Sequence, residues 1–302
     1  MRKLIIHAGI HRTGTTGIQR FLAENRAKVE RLGYRYPGPE KNHQRWAWGI
    51  LKGNISPHDF RDYLFGQPTS TVIVSAEDFC IHTNLDWIDA LSNDFEIIAH
   101  ISLRRQDDWV MSWYNQHVRW PFDRSKYQMT PDEFLRTIDD YHWLHYDRLI
   151  KRWSAKIGRE NVRVSVMGKA QVTAFVSSFI PELVLDEEPT SKNQSISFAA
   201  LDLIRRVDIF DMKPLQRIRI AEIARGIHNE NIKAVIYSPE QRRAIMEKFE
   251  DGNRRTADLL GLDHLFQPPS VDEAFVKFDS ADSDRRLISA FPTIVSQLFA
   301  RQ

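Results

Sequence analysis

The sequence predicts an α/β fold with a central parallel sheet flanked by helices and a helix-rich C-terminal half. Over the first 168 residues, four apolar runs have the length of strands and alternate with helical segments. These runs are Lys3–Ala8, Thr71–Ser75, Phe95–Leu103 and Val162–Met167. Strands that alternate with helices are typical of a parallel sheet covered on both faces. Beyond this point strand signals nearly vanish, and helices are predicted at about 169–180, 197–210, 214–228, 239–260 and 283–299.

The starts of three helices are marked in the sequence. Ser56, Thr130 and Ser238 each stand immediately before a proline, which is the order of an N-cap followed by the first helical residue. Glu or Gln stands three positions after the last two, which completes a capping box. Gly158 and Gly261 are predicted helix ends, because glycine tolerates the left-handed backbone there.

Length and composition suggest one domain. The chain has 302 residues, 42% of them hydrophobic, which suffices for a sizeable core. We expect a single domain over residues 1–302, with an α/β nucleotide-binding core at 1–168 and a helical part packed on it at 169–302. Lys plus Arg number 42 and Asp plus Glu 40, a net charge of +2 that argues against general binding of nucleic acid.

The cysteine content and the hydropathy pattern limit the compartment. The single cysteine, Cys80, excludes an intramolecular disulfide and a cysteine zinc site, which suits a reducing compartment. No stretch approaches the roughly 20 apolar residues of a membrane span, so no integral membrane segment is expected. With no export signal recognised at the N-terminus, we expect a cytoplasmic protein. The scattered histidines give no support for a metal cofactor.

The first strand leads through a Gly/Thr loop into an amphipathic helix, the layout of a phosphate-binding loop. Gly9 and Gly14 have the spacing of the nucleotide-binding GxxxxGK[ST] motif, but Thr15 stands where its Lys belongs. A basic residue, Arg12, lies inside the loop instead, which makes ordinary ATP or GTP chemistry less favoured. The backbone N–H groups and the hydroxyls of Thr13, Thr15 and Thr16 are predicted to converge on an oxyanion at the helix N-terminus.

The segment Arg12-Thr13-Gly14-Thr15-Thr16 resembles the P-loop-like motif of sulfotransferases that use 3′-phosphoadenosine 5′-phosphosulfate (PAPS), bacterial members included. That motif is Lys-[Ser/Thr]-Gly-Thr-[Thr/Ser], so only the first position differs. The resemblance implies that these five residues bind the 5′-phosphosulfate. In the family the Lys also bonds the bridging oxygen of the leaving group, and the planar fork of Arg12 differs from Lys in shape.

A second segment extends the resemblance. The run Phe95–Leu103 ends at Arg104, and the helix predicted from near Gln106 carries Ser112. In the family an Arg at a strand end and a helical Ser eight positions later bind the 3′-phosphate of PAPS. The resemblance therefore assigns Arg104 a charge-assisted bond and Ser112 a hydroxyl bond to that phosphate. A surface Arg and an ordinary helical Ser are the alternative interpretation of the same two residues.

The resemblance becomes less specific farther along the chain. Residues Lys192–Ser197 are similar to an Asn-x-Ser-x-Ser stretch that precedes a helix in bacterial members. This implies a cofactor contact for Asn193, whereas a simple turn or N-cap role is the alternative that Asn favours anywhere.

Transfer of a sulfuryl group to a hydroxyl requires a base. Glu77 follows the strand Thr71–Ser75 and lies at the same sheet edge as the Gly/Thr loop if the strands are parallel. A Glu in a similar place is the base of glycan-modifying sulfotransferases, so the resemblance implies this role for Glu77; a helix cap or an ion pair is the alternative. His43 is the competing base, because related members often carry a His near substrate, and a loop histidine without function is its alternative.

Five tryptophans lie near the proposed site in sequence, and they are candidate surfaces for stacking sugars. They are Trp46, Trp48, Trp109, Trp113 and Trp120. Aromatic residues at helical spacing, such as Trp109 and Trp113, more often belong to the core.

These observations predict a sulfotransferase that moves the sulfuryl group of PAPS to an acceptor hydroxyl, most plausibly on a carbohydrate, and releases 3′-phosphoadenosine 5′-phosphate (PAP). Two alternatives stay open. One is a regulatory protein that binds PAPS or PAP without turnover because Arg12 replaces Lys. The other is a P-loop kinase that uses ATP, although it lacks the Lys that such a kinase needs. The acceptor and the oligomeric state are not fixed by the sequence.

Overall fold

A computed structural model describes residues 1–168, 170–185, 187–189, 196–228, 235–268, 275 and 277–299. Five strands lie in this part of the chain: β1 (Arg2–His7), β2 (Tyr34–Arg35), β3 (Thr71–Ser75), β4 (Phe95–Leu103) and β5 (Val162–Val166). They form one parallel sheet in the order β2-β3-β1-β4-β5, flanked by helices. The predicted α/β fold class is confirmed. Only β2 was missed, because a two-residue edge strand carries too short a pattern to predict.

Fourteen α-helices are described. They are α1 (Thr15–Glu24), α2 (Arg26–Arg31), α3 (Gln44–Leu51), α4 (Pro57–Phe65), α5 (Asp89–Ser92), α6 (Gln106–Arg119), α7 (Pro131–Leu135), α8 (Tyr146–Ile157), α9 (Gln171–Phe179), α10 (Phe198–Arg206), α11 (Pro214–Ile227), α12 (Pro239–Lys248), α13 (Glu250–Leu260) and α14 (Ser280–Phe299). Short 3-10 helices occur at Glu77–Ile81, Asp86–Ile88, Ile138–Asp140, His142–Leu144 and Arg159–Asn161. One predicted helix, 239–260, is in fact two, because the backbone of Phe249 leaves the helical region and its ring packs on His145.

The chain divides into two compact units. The first comprises the described residues of Met1–Arg104, His142–Ser191 and Phe249–Phe266, and it contains the whole sheet. The second comprises those of Arg105–Tyr141, Lys192–Lys248 and Gln267–Gln302, and its described elements are helical. The chain therefore changes unit after Arg104, and the single domain expected over residues 1–302, with parts at 1–168 and 169–302, stays a prediction.

The sheet of the first unit places the ends of three strands at one edge. His7 at the end of β1 is in register with Ser75 of β3 and with His100 of β4. The segments that follow parallel strands leave the sheet at the same edge, where ligands bind in open α/β sheets. Behind this edge α1 and α9 pack on one face of the sheet, where Ile18 of α1 and Phe175 of α9 belong to the same buried cluster as Ile5 and Ile73 of the strands.

The predicted helix ends are observed. Thr130 and Glu133 exchange the bonds of a capping box, and so do Ser238 and Gln241. The end of α8 is Gly158, with φ of 85°. None of the helices in the described part of the chain is both long and apolar enough to span a membrane.

Candidate active site

The loop between β1 and α1 is fixed to the neighbouring strand β4. The N–H of Ala8 donates to the carbonyl of His100 at 2.9 Å, and the N–H of Ile10 donates to that of Ser102 at 3.2 Å. A Cβ atom on Gly9 would lie 3.1 Å from the Cγ2 of Thr15, tighter than about nine in ten real contacts of this kind. Glycine at this position therefore allows the loop to fold back against the start of α1.

Arg12 connects the two segments that the sequence assigns to the two phosphates. Its φ of 68° makes it the one non-glycine residue with a left-handed backbone among the described residues. The carbonyl of Arg12 accepts a bond from Nη1 of Arg104 at 2.8 Å. The hydroxyl of Tyr146 in turn donates to the carbonyl of Arg104 at 2.5 Å. The guanidinium at the end of β4 thus holds the loop at its most strained residue.

The N-terminus of α1 is open to an anion. Its N-cap is Gly14, which has no side chain to accept from the first-turn N–H groups, and the first turn contains no acidic residue. These N–H groups carry the positive end of the helix dipole. A phosphate or sulfate group is the kind of ligand that satisfies them.

The threonine hydroxyls differ from the sequence expectation. Thr13 donates its hydroxyl proton to the carbonyl of Ile10 at 2.6 Å, and Thr15 donates its own to Oε1 of Glu77. A hydroxyl has one proton, so in this arrangement neither group donates a hydrogen bond to an oxyanion. Thr16 is exposed at the first turn of α1. An oxyanion at this loop would therefore accept hydrogen bonds from the backbone N–H groups and from the hydroxyl of Thr16. Arg12 is the cation in the loop.

Glu77 begins the 3-10 helix Glu77–Ile81 and is bonded to α1 through both carboxylate oxygens. Besides the bond from Thr15, Nε2 of Gln19 donates to Oε2 at 2.9 Å. The sequence prediction missed Gln19. Its position four residues after Thr15, on the same face of a predicted helix, was the signal that could have identified it.

His43 occupies a different environment from the exposed loop position considered for it. The side chain is buried, and Nδ1 accepts from the N–H of Ser75 at 3.0 Å. Nε2 lies 3.1 Å from the carbonyl of Pro37, so Nε2 carries the proton and donates there. Burial lowers the pKa of His43 to about 4. With both nitrogens bonded to the backbone, His43 is a poorer candidate for the base than Glu77.

A second histidine next to the loop contacts an acidic residue. His11 precedes Arg12, and its Nε2 lies 3.6 Å from Oδ1 of Asp78. Burial raises the pKa of Asp78 above its ordinary value. The ring of His11 also packs edge-on against Trp143. Sequence reasoning did not select either member of this pair, because nothing in the spacing of the two residues indicates contact.

Two further histidines lie beneath the loop on one face of the sheet. Nδ1 of His7 is 2.8 Å from the hydroxyl of Ser75, and Nε2 of His100 is 3.0 Å from that of Ser165. The two rings stack at 5.2 Å, and burial lowers the pKa of His100 to about 4. In the part of the chain that the structure covers, no three His, Cys, Asp or Glu side chains are grouped as metal ligands.

The remaining predicted site residues lie outside the first unit or outside the described chain. Ser112 is half-buried on α6 of the second unit, and its sharing of a phosphate with Arg104 stays a prediction. Asn193 lies outside the described residues. Trp109 and Trp113 stack at 5.4 Å and are buried, which confirms their assignment to a core.

Comparison with known proteins shows a likeness to solved structures. The fold is similar to that of a sulfotransferase from Alicyclobacillus acidocaldarius known from its crystal structure, with 15% sequence identity and a TM-score of 0.48. The matched region covers 87% of this chain and 97% of that one. An identity and a TM-score this low do not carry function from one chain to the other. No protein-family model matches the sequence, and no curated protein matches it.

Proposed function

We propose that this protein is a sulfotransferase that moves the sulfuryl group of PAPS to the hydroxyl of an acceptor. The observation that carries the proposal is the contact of Glu77 with Thr15, the first residue of α1. A carboxylate able to accept a proton thereby lies against a loop suited to an oxyanion. Sulfuryl transfer to a hydroxyl requires these two features side by side.

The residues present fit the donor. The open N-terminus of α1 and the side chain of Arg12 supply the donors and the positive charge that a 5′-phosphosulfate requires. In the proposal Arg12, Thr13, Gly14, Thr15 and Thr16 surround this group, and Thr13 and Thr15 contribute through their backbone. PAPS, when bound, supplies a sulfuryl group activated by a bisphosphate leaving group.

The 3′-phosphate is assigned to Arg104 and Ser112, with Asn193 as a further cofactor contact. The bond from Arg104 to the carbonyl of Arg12 supports this assignment on the side of the first unit. In this assignment the guanidinium of Arg104 bonds both the β1–α1 loop, which binds the 5′-phosphosulfate, and the 3′-phosphate. Arg104 thereby links the binding sites for the two ends of PAPS. Such coupling allows the loop to reach its binding conformation before the donor arrives.

Glu77 is assigned as the base that takes the proton of the acceptor hydroxyl. The bonds from Thr15 and Gln19 orient the carboxylate, and each oxygen retains lone-pair capacity for a further donor. Arg12 is assigned to stabilise the negative charge that develops on the departing bisphosphate. A carbohydrate is the preferred acceptor class, on the strength of Glu77 and of the resemblance to glycan-modifying enzymes.

Ligand binding tests the donor assignment. We expect PAP to raise the melting temperature of the protein, and ADP to raise it much less, because ADP lacks the 3′-phosphate. Each charge-assisted bond to a phosphate contributes about 1.5 to 3 kcal/mol. Equal shifts with PAP and ADP would remove Arg104 and Ser112 from the donor site, and a larger shift with ATP than with PAP would favour the kinase alternative.

Turnover tests the enzyme assignment. Transfer of label from [35S]PAPS is measured with glycan, phenol, lipid and peptide acceptors, and we expect the label on a glycan. A protein that binds PAP but labels nothing in the series, yet gains activity on Arg12→Lys substitution, would be the regulatory binding protein instead.

A further inference from the structure

A side chain bonds the backbone just beyond the end of β4. The ladder between β4 and β5 continues to Leu103, whose carbonyl accepts from the N–H of Met167 at 2.7 Å. The next carbonyl along the chain belongs to Arg104, and it accepts from the hydroxyl of Tyr146 at 2.5 Å. Tyr146 is the first residue of α8, and its side chain is fully buried. A buried tyrosine hydroxyl usually has a hydrogen-bond partner, and here the partner is a backbone carbonyl.

The bond from Tyr146 leads on to the β1–α1 loop. Nη1 of Arg104 donates to the carbonyl of Arg12 at 2.8 Å. Two bonds in series therefore join α8 to the loop, and both end on a main-chain oxygen. All three residues belong to the first unit. A displacement of the Arg104 backbone would consequently move the guanidinium that bonds Arg12 in its left-handed conformation.

Packing does not require the hydroxyl of Tyr146. The ring of Tyr146 packs edge-on against Phe266, with 6.0 Å between the ring centroids. A phenylalanine would keep this contact and would bury no hydroxyl. The hydroxyl adds a fixed position for the carbonyl of Arg104. Because a guanidinium holds its N–H donors in a rigid planar fork, fixing one of them at Arg12 also fixes the plane of the others.

We propose that Tyr146 is a positioning residue of the donor site, which acts through Arg104 to align the guanidinium with the 3′-phosphate of the donor. Tyr146 thereby makes the site selective for a 3′-phosphorylated nucleotide over a nucleoside diphosphate. An arginine that is already in place loses less conformational entropy when the nucleotide binds. The part of this inference that concerns the 3′-phosphate rests on the proposed function, whereas the alignment of Arg104 and the loop does not.

Hydrogen–deuterium exchange tests the alignment without any nucleotide. Tyr146→Phe removes the hydroxyl and keeps the ring. We expect the amides of loop residues 8–14 to exchange about two- to tenfold faster in this variant, the effect of losing one hydrogen bond. Tyr237→Phe is the matched control, because Tyr237 is equally buried and its hydroxyl donates to the carbonyl of Pro131 at 3.1 Å. Unchanged loop exchange in Tyr146→Phe would overturn the inference, and so would equally faster loop exchange in the control.

Nucleotide affinity tests the selectivity. Calorimetry is performed with PAP and with ADP, which lacks the 3′-phosphate. We expect the ratio of the PAP affinity to the ADP affinity to fall about two- to tenfold in Tyr146→Phe, and to stay unchanged in Tyr237→Phe. A residue that only supported the fold would weaken both nucleotides alike. An unchanged ratio in Tyr146→Phe would therefore overturn the inference.

Kinetics separates a positioning role from a catalytic one. We expect Tyr146→Phe to raise KM for PAPS about two- to tenfold with little change in kcat, because the hydroxyl bonds a backbone carbonyl and no reacting atom. A lower kcat at unchanged KM would contradict the positioning role. If loop exchange responds as expected but the native protein binds PAP no better than ADP, the 3′-phosphate assignment fails and the alignment stands. If the native protein prefers PAP and Tyr146→Phe keeps the full preference, the proposed donor stands and the inference fails.

Discussion

Two carboxylates that follow strands on either side of β1 are held in opposite ways. Glu77, after β3, accepts from a hydroxyl and an amide, which are neutral donors. Asp107, after β4, is fully buried and accepts from Nε of Arg105 at 2.6 Å and from Nε of Arg242 at 2.7 Å. Two guanidiniums therefore bond Asp107, whereas the two bonds that orient Glu77 come from neutral donors. The comparison assigns Asp107 to stability, and the neutral donors around Glu77 fit the role of base that we propose for it.

Asp107→Asn is expected to cause the largest effect, a loss in the free energy of unfolding. Loss of the charge removes the 2.7 Å ion pair of Arg242, whose side chain is 2% exposed; its contact with Asp108 is longer, at 3.4 Å. Removing one partner of a buried ion pair costs about 3 to 5 kcal/mol. We expect a loss of this size in the free energy of unfolding, measured with urea. Glu77→Gln is the control and should lose about 1 kcal/mol at most, and equal losses would show that the two carboxylates do not differ in role.

Glu77→Gln should instead abolish turnover. The amide keeps a similar shape but accepts no proton, so the rate of sulfuryl transfer should fall by roughly a hundredfold or more. A hundredfold loss corresponds to about 2.7 kcal/mol of activation free energy. The affinity for PAP, measured by calorimetry, should hardly change because no phosphate contact is removed. An active Glu77→Gln variant beside an inactive His43→Ala variant would move the role of base to His43.

Acidification tests the structural role assigned here to His43. Its pKa in the folded protein is about 4, against an ordinary value of 6.5, so the unfolded chain binds the proton first. The stabilisation by neutral His43 is present above pH 6.5 and is lost as the pH falls from 6.5 towards 4. Between pH 7 and pH 5 this amounts to about 2 kcal/mol. The free energy of unfolding is measured with urea at pH 7 and at pH 5. Between these two values, the His43→Gln variant should lose about 2 kcal/mol less of it than the native protein. Identical losses in the variant and the native protein would contradict the assignment.

The smallest effect is expected from Arg12→Lys. A lysine retains the cation and restores the residue of the family motif, so the transfer rate should stay within about tenfold of the native rate. Arg12→Ala should lose both rate and PAP affinity. Arg242→Lys is the informative contrast, because a single ammonium cannot reproduce the bonds of the guanidinium to Asp107 and Asp108. Loss of activity in Arg12→Lys would mean that the fork of Arg12 itself is required.

Much of the first unit could be predicted because its strands are buried apolar runs. The predicted bounds of β3 and β4 match the structure residue for residue. The division into two units could not be predicted, since it depends on contacts between segments far apart in sequence, as in the packing of α13 against α8. The break at Phe249 was missed for the same reason, because helix propensity continues through it and tertiary packing overrides it.

The candidate site was predictable in residue type and less so in hydrogen bonding. The spacing of Arg12 and Arg104 to their strands identified two positions that the structure joins through one bond. The direction of a hydroxyl proton depends on the nearest acceptor in space, so the donation from Thr15 to Glu77 had no signal in the sequence. The burial of His43 was not predicted, because a polar loop sequence does not show that this histidine is covered by the rest of the protein.

The left-handed backbone of Arg12 means that an arginine at this position costs the folded protein some stability. A side chain in that conformation costs about 1 kcal/mol or more, and glycine would adopt it without strain. A loop optimised for folding alone would therefore carry glycine here. The side chain of Arg12 therefore stands where glycine would cost less, and the proposed function gives its positive charge a use at this position, in binding the 5′-phosphosulfate. The bond from Nη1 of Arg104 to the carbonyl of Arg12 helps to hold this strained backbone, so a substitution of Arg104 would also change the conformation of the loop.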